Sequence, residues 1–286
     1  MKGISVIGVA AQLVALGVCQ AQQGGGPSAA MRQAMQLDRD GSTAQARTII
    51  QSLIASNAMP DAKAQAQRAM AMSYAFDGDC ANTVKYEEMV IAYWQTREQA
   101  EPQNAFYQEG EMANEGARVC LDAGDLNTAE RMYRRGSELG LKEPEPKTHP
   151  KSLWDYRLAH ALGRIAARRG DRAEAERQIA AARKALDGDS AMASQQERFF
   201  PYLVGYVALY TGNLKTAESE FTTMLAMRGW PVRIDISPKN APSARSPIWL
   251  CRPVAGSFLK ARTRPEVSVY RLPPGLPSRR MTPPLS

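Results

Sequence analysis

The sequence contains one pattern five times, and this repetition limits the fold more than any other feature. In each copy a glycine is followed five positions later by a small anchor residue, and the anchors are Ala46, Thr83, Ala129, Ala175 and Ala217. Four positions after the anchors stand Ile50, Glu87, Tyr133, Ile179 and Phe221, and twelve positions before them stand Ala34, Ala71, Ala117, Gly163 and Gly205. Small groups before a glycine turn and large groups after it predict two helices packed closely as an antiparallel hairpin.

The composition of residues 29–229 favours helices over strands. No segment before residue 230 alternates β-branched residues at strand spacing, whereas the helix-forming residues Ala, Glu, Gln, Arg, Met and Leu dominate. Each hairpin has an apolar face that its neighbours cover when the hairpins stack. The sequence therefore predicts an all-α solenoid of five stacked antiparallel helix hairpins. An irregular helical bundle is the alternative.

The spacings resemble those of the tetratricopeptide repeat (TPR), in which small residues at the eighth, twentieth and twenty-seventh positions pack a helix hairpin. The fourth unit, with Gly163, Ala175 and Ala182, matches this pattern well, whereas the second departs from it at Thr83 and Glu87. The anchors lie 37, 46, 46 and 42 residues apart, farther than the thirty-four of the family. The surplus falls in Pro- and charge-rich links such as residues 142–150. The resemblance covers residues 29–228 and implies a right-handed solenoid that binds a protein or peptide in its concave groove.

Residues 1–21 are predicted to be a secretory signal peptide cleaved after Ala21. A basic Met1-Lys2 precedes the apolar run Ile4–Val18, and small residues occupy the positions that a signal peptidase inspects. The run is shorter than the roughly 20 residues that span a bilayer, although an N-terminal membrane anchor stays open. A lipid on Cys19 ranks second, because the residue before it is too large for a bacterial lipobox. Residues 22–28 are predicted to be a flexible leader, and the mature protein to be periplasmic or secreted.

The net charge of +7 belongs to the C-terminal tail. Residues 230–286 hold 10 Lys and Arg against 2 Asp and Glu, together with 11 of the 18 prolines, so the body is nearly neutral. We therefore expect no nucleic-acid partner for the body. Proline excludes regular helices and central strands from the tail. The tail is predicted to be disordered, to contact an anionic surface, or to be read from a shifted frame.

Motifs of known catalytic or metal chemistry are missing from the sequence. There is no His-Glu-x-x-His, Gly-x-Ser-x-Gly, phosphate-binding loop or Cys-x-x-Cys, and the only histidines are His149 and His160. The pairs Glu87-Glu88 and Glu109-x-Glu111 are predicted to lie on solvated helix faces rather than to act as catalytic carboxylates. We therefore expect no enzyme activity, no metal and no cofactor.

Two of the four cysteines fall one repeat apart in the predicted solenoid. Cys80 follows the turn of the second unit, and Cys120 occupies a packing position of the third. Export would permit a disulfide between them. Two buried thiols are the alternative, and Cys251 would remain unpaired.

The resemblance to TPR proteins implies which side chains line the concave groove. In the third, fourth and fifth units these are Glu111, Asn114, Arg118, Arg157, His160, Arg164, Phe199, Tyr202 and Tyr206. Arginine forks bind carboxylates, and tyrosine supplies rigid area with a polar tip, so we expect a peptide partner with acidic groups or a C-terminal carboxylate. The three arginines are expected to repel one another unless an anion or an acidic side chain neutralises them. A solvated helix face, with His160 lacking any task, is the alternative.

The sequence is compatible with three functions. The first is a non-catalytic protein- or peptide-binding scaffold in the cell envelope. The second is an envelope-glycan enzyme, or a subunit of one, which would need two pocket carboxylates about 5–10 Å apart. The third is a structural module that stacks end to end.

Overall fold

The computed structural model of the protein describes residues 28–56 and 59–227. Within these ranges all regular secondary structure is helical, with eleven α-helices and one 3-10 turn at Glu197–Phe199. The helices are α1 (Ala29–Arg39), α2 (Thr43–Ser56), α3 (Pro60–Phe76), α4 (Cys80–Gln95), α5 (Pro102–Ala123), α6 (Leu126–Leu141), α7 (Lys151–Arg168), α8 (Arg172–Asp187), α9 (Ser190–Gln196), α10 (Phe200–Tyr210) and α11 (Leu214–Ala226). The predicted signal peptide, Cys19, Cys251 and the tail 230–286 lie outside the described residues.

The helices pack as five consecutive hairpins, α1–α2, α3–α4, α5–α6, α7–α8 and α10–α11. Helices α2, α4 and α6 each also pack against the first helix of the next hairpin, and α10 packs against α7. This arrangement confirms the predicted all-α solenoid of stacked helix hairpins. The short helix α9 and the 3-10 turn, which lie between the fourth and fifth hairpins, were not predicted.

Each hairpin turns at the predicted glycine. Gly41, Gly78, Gly124, Gly170 and Gly212 have φ values between 72° and 93°, a left-handed region that other residues seldom adopt. In the last four turns the next residue is Asp or Asn, and its side chain accepts a hydrogen bond from the third backbone N–H of the new helix. Glycine ends one helix and the following residue caps the next, so two adjacent residues specify the turn.

Small residues lie where the two helices of a hairpin approach most closely. Ala34, Ala71 and Ala117 are fully buried. A Cβ atom at Gly205 would stand 2.8 Å from the Phe221 ring on α11. The repeat therefore keeps small residues at this position because a larger one would push the hairpin apart.

Glycines also bring α5, α6 and the start of α7 into close contact. A Cβ at Gly140 on α6 would stand 2.1 Å from the indole of Trp154, and a Cβ at Gly110 on α5 would stand 2.4 Å from the same ring. A Cβ at Gly136 on α6 would stand 2.8 Å from the backbone oxygen of Gly110. The fully buried Trp154 side chain thus packs closely against α5 and α6 at positions where both helices have glycine.

A disulfide joins Cys80 at the start of α4 to Cys120 on α5, with 4.6 Å between the Cα atoms. Of the two alternatives that the sequence left, the structure has the bonded pair. The bond connects the second hairpin to the third and closes a loop of sequence separation 40.

The prediction that the acidic pairs lie on solvated faces is wrong for Glu87, Glu109 and Glu111, which are buried. Glu87 stands at the core position of its hairpin, where the other four hairpins have Ile, Tyr or Phe. Burial raises the pKa of Glu87 well above its usual value, and the nearby carboxylate of Glu115 adds to this effect. Only Glu88 is partly exposed, and it pairs with Arg135.

Candidate functional site

The first helices of the third and fourth hairpins, together with the residues around the start of α10, enclose a cavity of about 120 Å³. Eight of the nine predicted groove residues line it, namely Glu111, Asn114, Arg118, Arg157, His160, Arg164, Phe199 and Tyr202. The ninth, Tyr206, lies one turn farther along α10, with its ring centroid 5.9 Å from the Arg164 guanidinium carbon. The residues predicted to share a groove thus converge on one place.

Helical spacing explains this convergence. On α5 the lining residues Glu111, Asn114, Arg118 and Asp122 follow one another at intervals of three or four, as do Arg157, His160 and Arg164 on α7. Residues at this spacing share one face of a helix. Because α5 and α7 are the first helices of neighbouring hairpins, their two faces lie side by side.

The cavity contains an internal ion pair between the third and fourth hairpins. Nη1 of Arg157 donates to Oε1 of Glu111 at 2.9 Å, and both side chains are largely buried. Burial alone would raise the pKa of Glu111, but Arg157, Arg118 and Arg68 outweigh it and lower that pKa. Arg157 is therefore neutralised by an acidic side chain of the protein itself, Glu111, rather than by an external anion.

Arg164 differs, because it is a buried cation without a carboxylate in contact. Its side chain is 8% exposed, and it donates to the hydroxyl of Tyr133 at 3.0 Å and to the backbone oxygen of His160 at 3.3 Å. Three tyrosine rings surround its guanidinium at 5.8–5.9 Å. Among the described residues no Asp or Glu oxygen lies within 4.0 Å of it. Aromatic rings attract a cation without neutralising it, and the charge of Asp122, another residue of the cavity lining, attracts Arg164 without direct contact.

His160 is held beside Arg164 in a fixed orientation. Its Nε2 lies 3.2 Å from the backbone oxygen of Phe199, and its ring stacks on that of Tyr202 at 5.9 Å. Burial and the neighbouring Arg164 and Arg118 hold the pKa of His160 well below its usual value. The imidazole is therefore neutral at pH 7.

Four lining residues were not predicted, namely Asp122, Tyr133, Tyr156 and Gln196. Two of them could have been found from their positions in the repeat. Asp122 follows Arg118 by one helical turn, and Tyr133 is the large residue four positions after an anchor. We assigned Tyr133 to the core, where its ring indeed lies, but its hydroxyl reaches the cavity side and contacts Arg164.

A second set of arginines and tyrosines continues the face beyond the cavity. Nη1 of Arg168 lies 3.5 Å from the hydroxyl of Tyr206, and its guanidinium carbon lies 5.2 Å from the ring centroid of Tyr210. Within residues 28–56 and 59–227 no cluster of His, Cys, Asp and Glu is arranged to hold a metal ion. The same part of the chain has no helix both long and apolar enough to cross a bilayer.

Comparison with known proteins adds a similarity of structure only. No protein-family model matches the chain, and no curated protein matches it. Two solved structures do, both of a Podosopora anserina kinesin light chain with nearly identical TPR-like repeats, one of them a single-substitution variant. Each is 14% identical, and the match covers 68% of this chain and 91% of that chain, with TM-scores of 0.45 and 0.46.

Proposed function

We propose that this protein is a non-catalytic scaffold that binds a protein or peptide segment in the groove formed by α5, α7 and α10. The observation that carries the proposal is Arg164, a buried guanidinium in a solvent-connected cavity with no carboxylate in contact. Burying an unpaired charge destabilises a fold, and an anionic ligand removes that penalty. A carboxylate is the anion that a protein segment offers, and arginine binds it through two parallel hydrogen bonds.

The size of the cavity favours one group of a larger partner over a whole small molecule. Small-molecule pockets measure roughly 300–1,000 Å³, whereas this cavity measures about 120 Å³. It therefore has room for one side chain or a chain end, while the rest of the segment lies along the groove. The aromatic rings of Phe199, Tyr202 and Tyr206 offer apolar contact area on the α10 side.

The carboxylates in the cavity argue against a glycan-cleaving enzyme. Glu111 and Asp122 both line it, but they stand eleven residues apart on α5. At 1.5 Å per residue this places their Cα atoms about 16 Å apart along the helix axis. Glycosidases need two carboxyl groups roughly 5–10 Å apart. In addition, Glu111 is occupied by Arg157.

We further propose that the scaffold acts in the cell envelope or outside the cell. Disulfides persist in oxidising compartments, so the Cys80–Cys120 bond supports export, as does the predicted signal peptide of residues 1–21. N-terminal sequencing of the mature protein is expected to begin at Gln22. An intact Met1 on the mature chain would contradict export by cleavage.

The test of binding uses the substitution Arg164→Met, which keeps a long side chain but removes the charge. Arg172→Met is the matched control, because Arg172 is an exposed arginine that pairs with Glu176 on the outer helix α8. An array of short peptides with free C-terminal carboxylates, and the same peptides with C-terminal amides, is probed with each protein. We expect free carboxylates to bind at least about tenfold more tightly, as charge-assisted hydrogen bonds of roughly 1.5–3 kcal/mol imply.

This preference should disappear in Arg164→Met and persist in Arg172→Met. Binding should also weaken as salt increases, because charges that stay exposed at the groove are screened over about 10 Å at 0.1 M ionic strength. If Arg164→Met binds the same peptides at full strength, the cavity is not the binding site.

A further inference from the structure

We infer that the contact between α4 and α5, which joins the second hairpin to the third, is a pH-sensitive hinge. Glu87 and Glu109 are acids within this contact that allow it to stay closed while they are protonated, and the Cys80–Cys120 disulfide holds one end of it. At alkaline pH both acids ionise and the other end of the contact opens. The hinge changes the shape of the solenoid and is independent of which ligand the groove binds.

One face of α4 and one face of α5 form this contact. The residues on the two faces recur every three or four positions, as on one side of a helix, and are Cys80, Val84, Glu87, Ile91 and Trp94 on α4 and Glu109, Met112, Gly116 and Cys120 on α5. Ile91 and Met112 belong to one apolar cluster. A Cβ atom at Gly116 would stand 3.4 Å from Val84 and 3.8 Å from Cγ of Glu87, so the side chain of Glu87 lies against α5.

Glu87 occupies the middle of the contact, at a position where the other hairpins have a large apolar residue. Its side chain is 1% exposed, and Oε2 has no hydrogen-bond partner among the described residues. The charged groups that face it are Glu111, Glu115 and Arg118 on α5 and Arg68 on α3. The two arginines favour the ionised form, but burial and Glu115 outweigh them and raise the pKa of Glu87 well above its usual value.

Glu109 repeats this situation nearer to the start of α5. It is fully buried, and the charged groups that face it are Glu98 in the link after α4, Arg135 on α6 and Lys142 just after α6. Burial and Glu98 raise the pKa of Glu109 to about 7 in spite of the two cations. Both acids therefore favour the closed contact only in their neutral form.

Unpartnered acids of this kind are specific to one contact of the solenoid. In the part of the chain that the structure describes, the buried carboxyl oxygens without a hydrogen-bond partner belong to Glu87, Glu109 and Glu115, all on α4 and α5. An ionised carboxyl that is buried without a partner is costly, so it either takes up a proton or reaches water. Separation of two hairpins brings it to water, because each hairpin of a solenoid contacts only its neighbours.

The disulfide determines which end of the contact can open. Cys120 follows Glu109 by eleven residues on α5, which is about 16 Å along the helix axis, so the bond holds the end farthest from Glu109. Two partly exposed ion pairs also join the second and third hairpins, Arg68–Glu115 and Arg135–Glu88. Ion pairs with this exposure contribute little to stability, so they resist opening weakly.

The direction and size of the effect follow from the proton that the closed contact holds. The pKa of Glu109 is about 7 in the closed contact and would return to 4.5 in water, which makes opening about 70-fold more favourable at pH 8 than at pH 5. Opening therefore increases as pH rises, and Glu87 acts in the same direction.

The experiment uses the full protein and the oxidation of its own methionines by hydrogen peroxide. Met112 reports on the hinge, because it is fully buried on the face of α5 that meets α4. Met192 on α9 and Met224 on α11 are the references, because they are buried far along the chain from this contact. Sulfoxide forms only where peroxide reaches the sulfur, and mass spectrometry measures its rate of formation at each site.

We expect the oxidation rate of Met112, divided by that of Met192 or Met224, to rise at least about tenfold from pH 5 to pH 8. The helical circular dichroism signal should stay the same at both pH values, because a hinge leaves its helices intact. Reagent that exposes the whole chain in denaturant gives the limiting rate at each pH.

Variants assign the effect to the two acids and the tether. The double substitution Glu87→Gln with Glu109→Gln should leave less than about a threefold dependence on pH, because neither side chain can ionise. Glu138→Gln, on an exposed part of α6, is the matched control and should keep the full rise. Cys80→Ser with Cys120→Ser should raise the Met112 rate at pH 8 by a further factor of about two or more, because the cross-link no longer restricts the open state.

Three results would overturn the inference. The Met112 rate could be independent of pH, or it could rise together with those of Met192 and Met224, which would mean that the whole solenoid loosens. The rise could also persist in the double glutamine variant, and other groups would then cause it. The comparison of the three methionines within the unsubstituted protein decides between a hinge and general loosening even if a variant does not fold.

Discussion

Glu109 on α5 is a carboxylic acid enclosed by the fold. Its side chain is fully buried, and neither carboxyl oxygen has a hydrogen-bond partner among the described residues. Burial raises the pKa of Glu109 to about 7, and the neighbouring Glu98 contributes in the same direction. The group therefore prefers to be protonated in the folded state, and ionising it weakens the fold.

The sign of the resulting pH dependence follows from this shift. Below pH 4.5, the ordinary value, Glu109 is protonated in both the folded and the unfolded chain, and its contribution to stability is fully present. That contribution is lost as pH rises towards 7. The loss amounts to about 3 kcal/mol of unfolding free energy if the shift is fully expressed.

We predict that Glu109→Gln raises the unfolding free energy at pH 8 by about 1–3 kcal/mol relative to the unsubstituted protein. At pH 4 the same comparison should show little difference, because glutamine and protonated glutamate are both neutral. Urea unfolding at the two pH values measures this. The exposed Glu138→Gln is the control and should change stability little at either pH. Equal effects of Glu109→Gln at both pH values would contradict the prediction.

The residues that the sequence placed wrongly show why side-chain burial is hard to predict locally. Adjacent glutamates suggest a solvated face, yet the repeat register puts Glu87 at the core position, and the register is right. The contact between Arg157 and Glu111 joins residues 46 apart. Repeat spacing places both residues in the groove, but it does not determine which charges will pair across two hairpins.

At the scale of elements, α6 depends on its glycines for close packing against Trp154. We predict that Gly140→Ala lowers the unfolding free energy by about 3 kcal/mol or more, because the added Cβ would overlap the rigid indole and overpacking of this kind displaces helices. The clash distance is 2.1 Å. Thermal or urea unfolding followed by circular dichroism measures the loss.

Gly116→Ala on α5 is the matched control for this substitution. The atom nearest to a Cβ at Gly116 lies at 3.4 Å, an ordinary contact. Alanine favours a helix over glycine by roughly 1 kcal/mol, so this variant should be neutral or more stable. If both variants were equally destabilised, the packing of Trp154 would not be the cause.

The disulfide between α4 and α5 closes a loop of sequence separation 40. We predict that reduction, or the double substitution Cys80→Ser with Cys120→Ser, lowers the unfolding free energy by about 2–4 kcal/mol, mainly by releasing the unfolded chain. Thiol titration of the denatured protein should find two fewer free thiols before reduction than after it. A double variant that melts at the same temperature as the oxidised protein would show that the bond contributes nothing.

The sequence predicted the hairpins well because a short local signal defines each turn. Glycine adopts the left-handed backbone conformation of the turn, and the Asp or Asn that follows it caps the next helix. Both residues are adjacent in the sequence and can be recognised there. Helix α9 lacked such a signal in the repeat, because it lies between units and follows no register. It is nevertheless capped by Asp189, whose side chain accepts from the N–H of Met192, so the local evidence was present but isolated.

Considered as a whole molecule, the solenoid has unequal apolar clusters. The two larger clusters run from α4 to α7 and from α5 to α10. The cluster formed by α1, α2 and α3 is smaller and is centred on Ala34, Ile50 and Met70. Hairpins of a solenoid contact only their neighbours, so the stability of each part follows its own cluster.

We predict that α1, α2 and α11 open before the centre of the molecule. Amide hydrogen exchange followed by mass spectrometry should show protection at least about 100-fold higher in α5 and α7 than in α1, which corresponds to roughly 3 kcal/mol between local and global opening. Uniform protection along the solenoid would mean that it unfolds as one unit.

The architecture was predictable from the sequence because it is repeated, so five weak signals confirm one another. The positions around the cavity were predictable, and eight of the nine predicted groove residues line it. Its electrostatics were not, because they depend on the environment that three hairpins create together. The sequence shows only an arginine at each groove position. It does not show that Glu111 neutralises Arg157 whereas tyrosine rings surround Arg164.

Replacing the buried guanidinium of Arg164 is expected to raise the melting temperature and to weaken ligand binding. A programme that ranks variants by melting temperature alone would enrich neutral replacements of Arg164, since an unpaired buried charge is a common source of instability. Under the proposed function, such variants would become more stable while losing their ligand. Selection in the presence of an occupied groove reverses this pressure, because a ligand that binds only the folded state adds its binding free energy to stability. If the proposed function holds, directed evolution of this protein has to keep a carboxylate ligand present at every round.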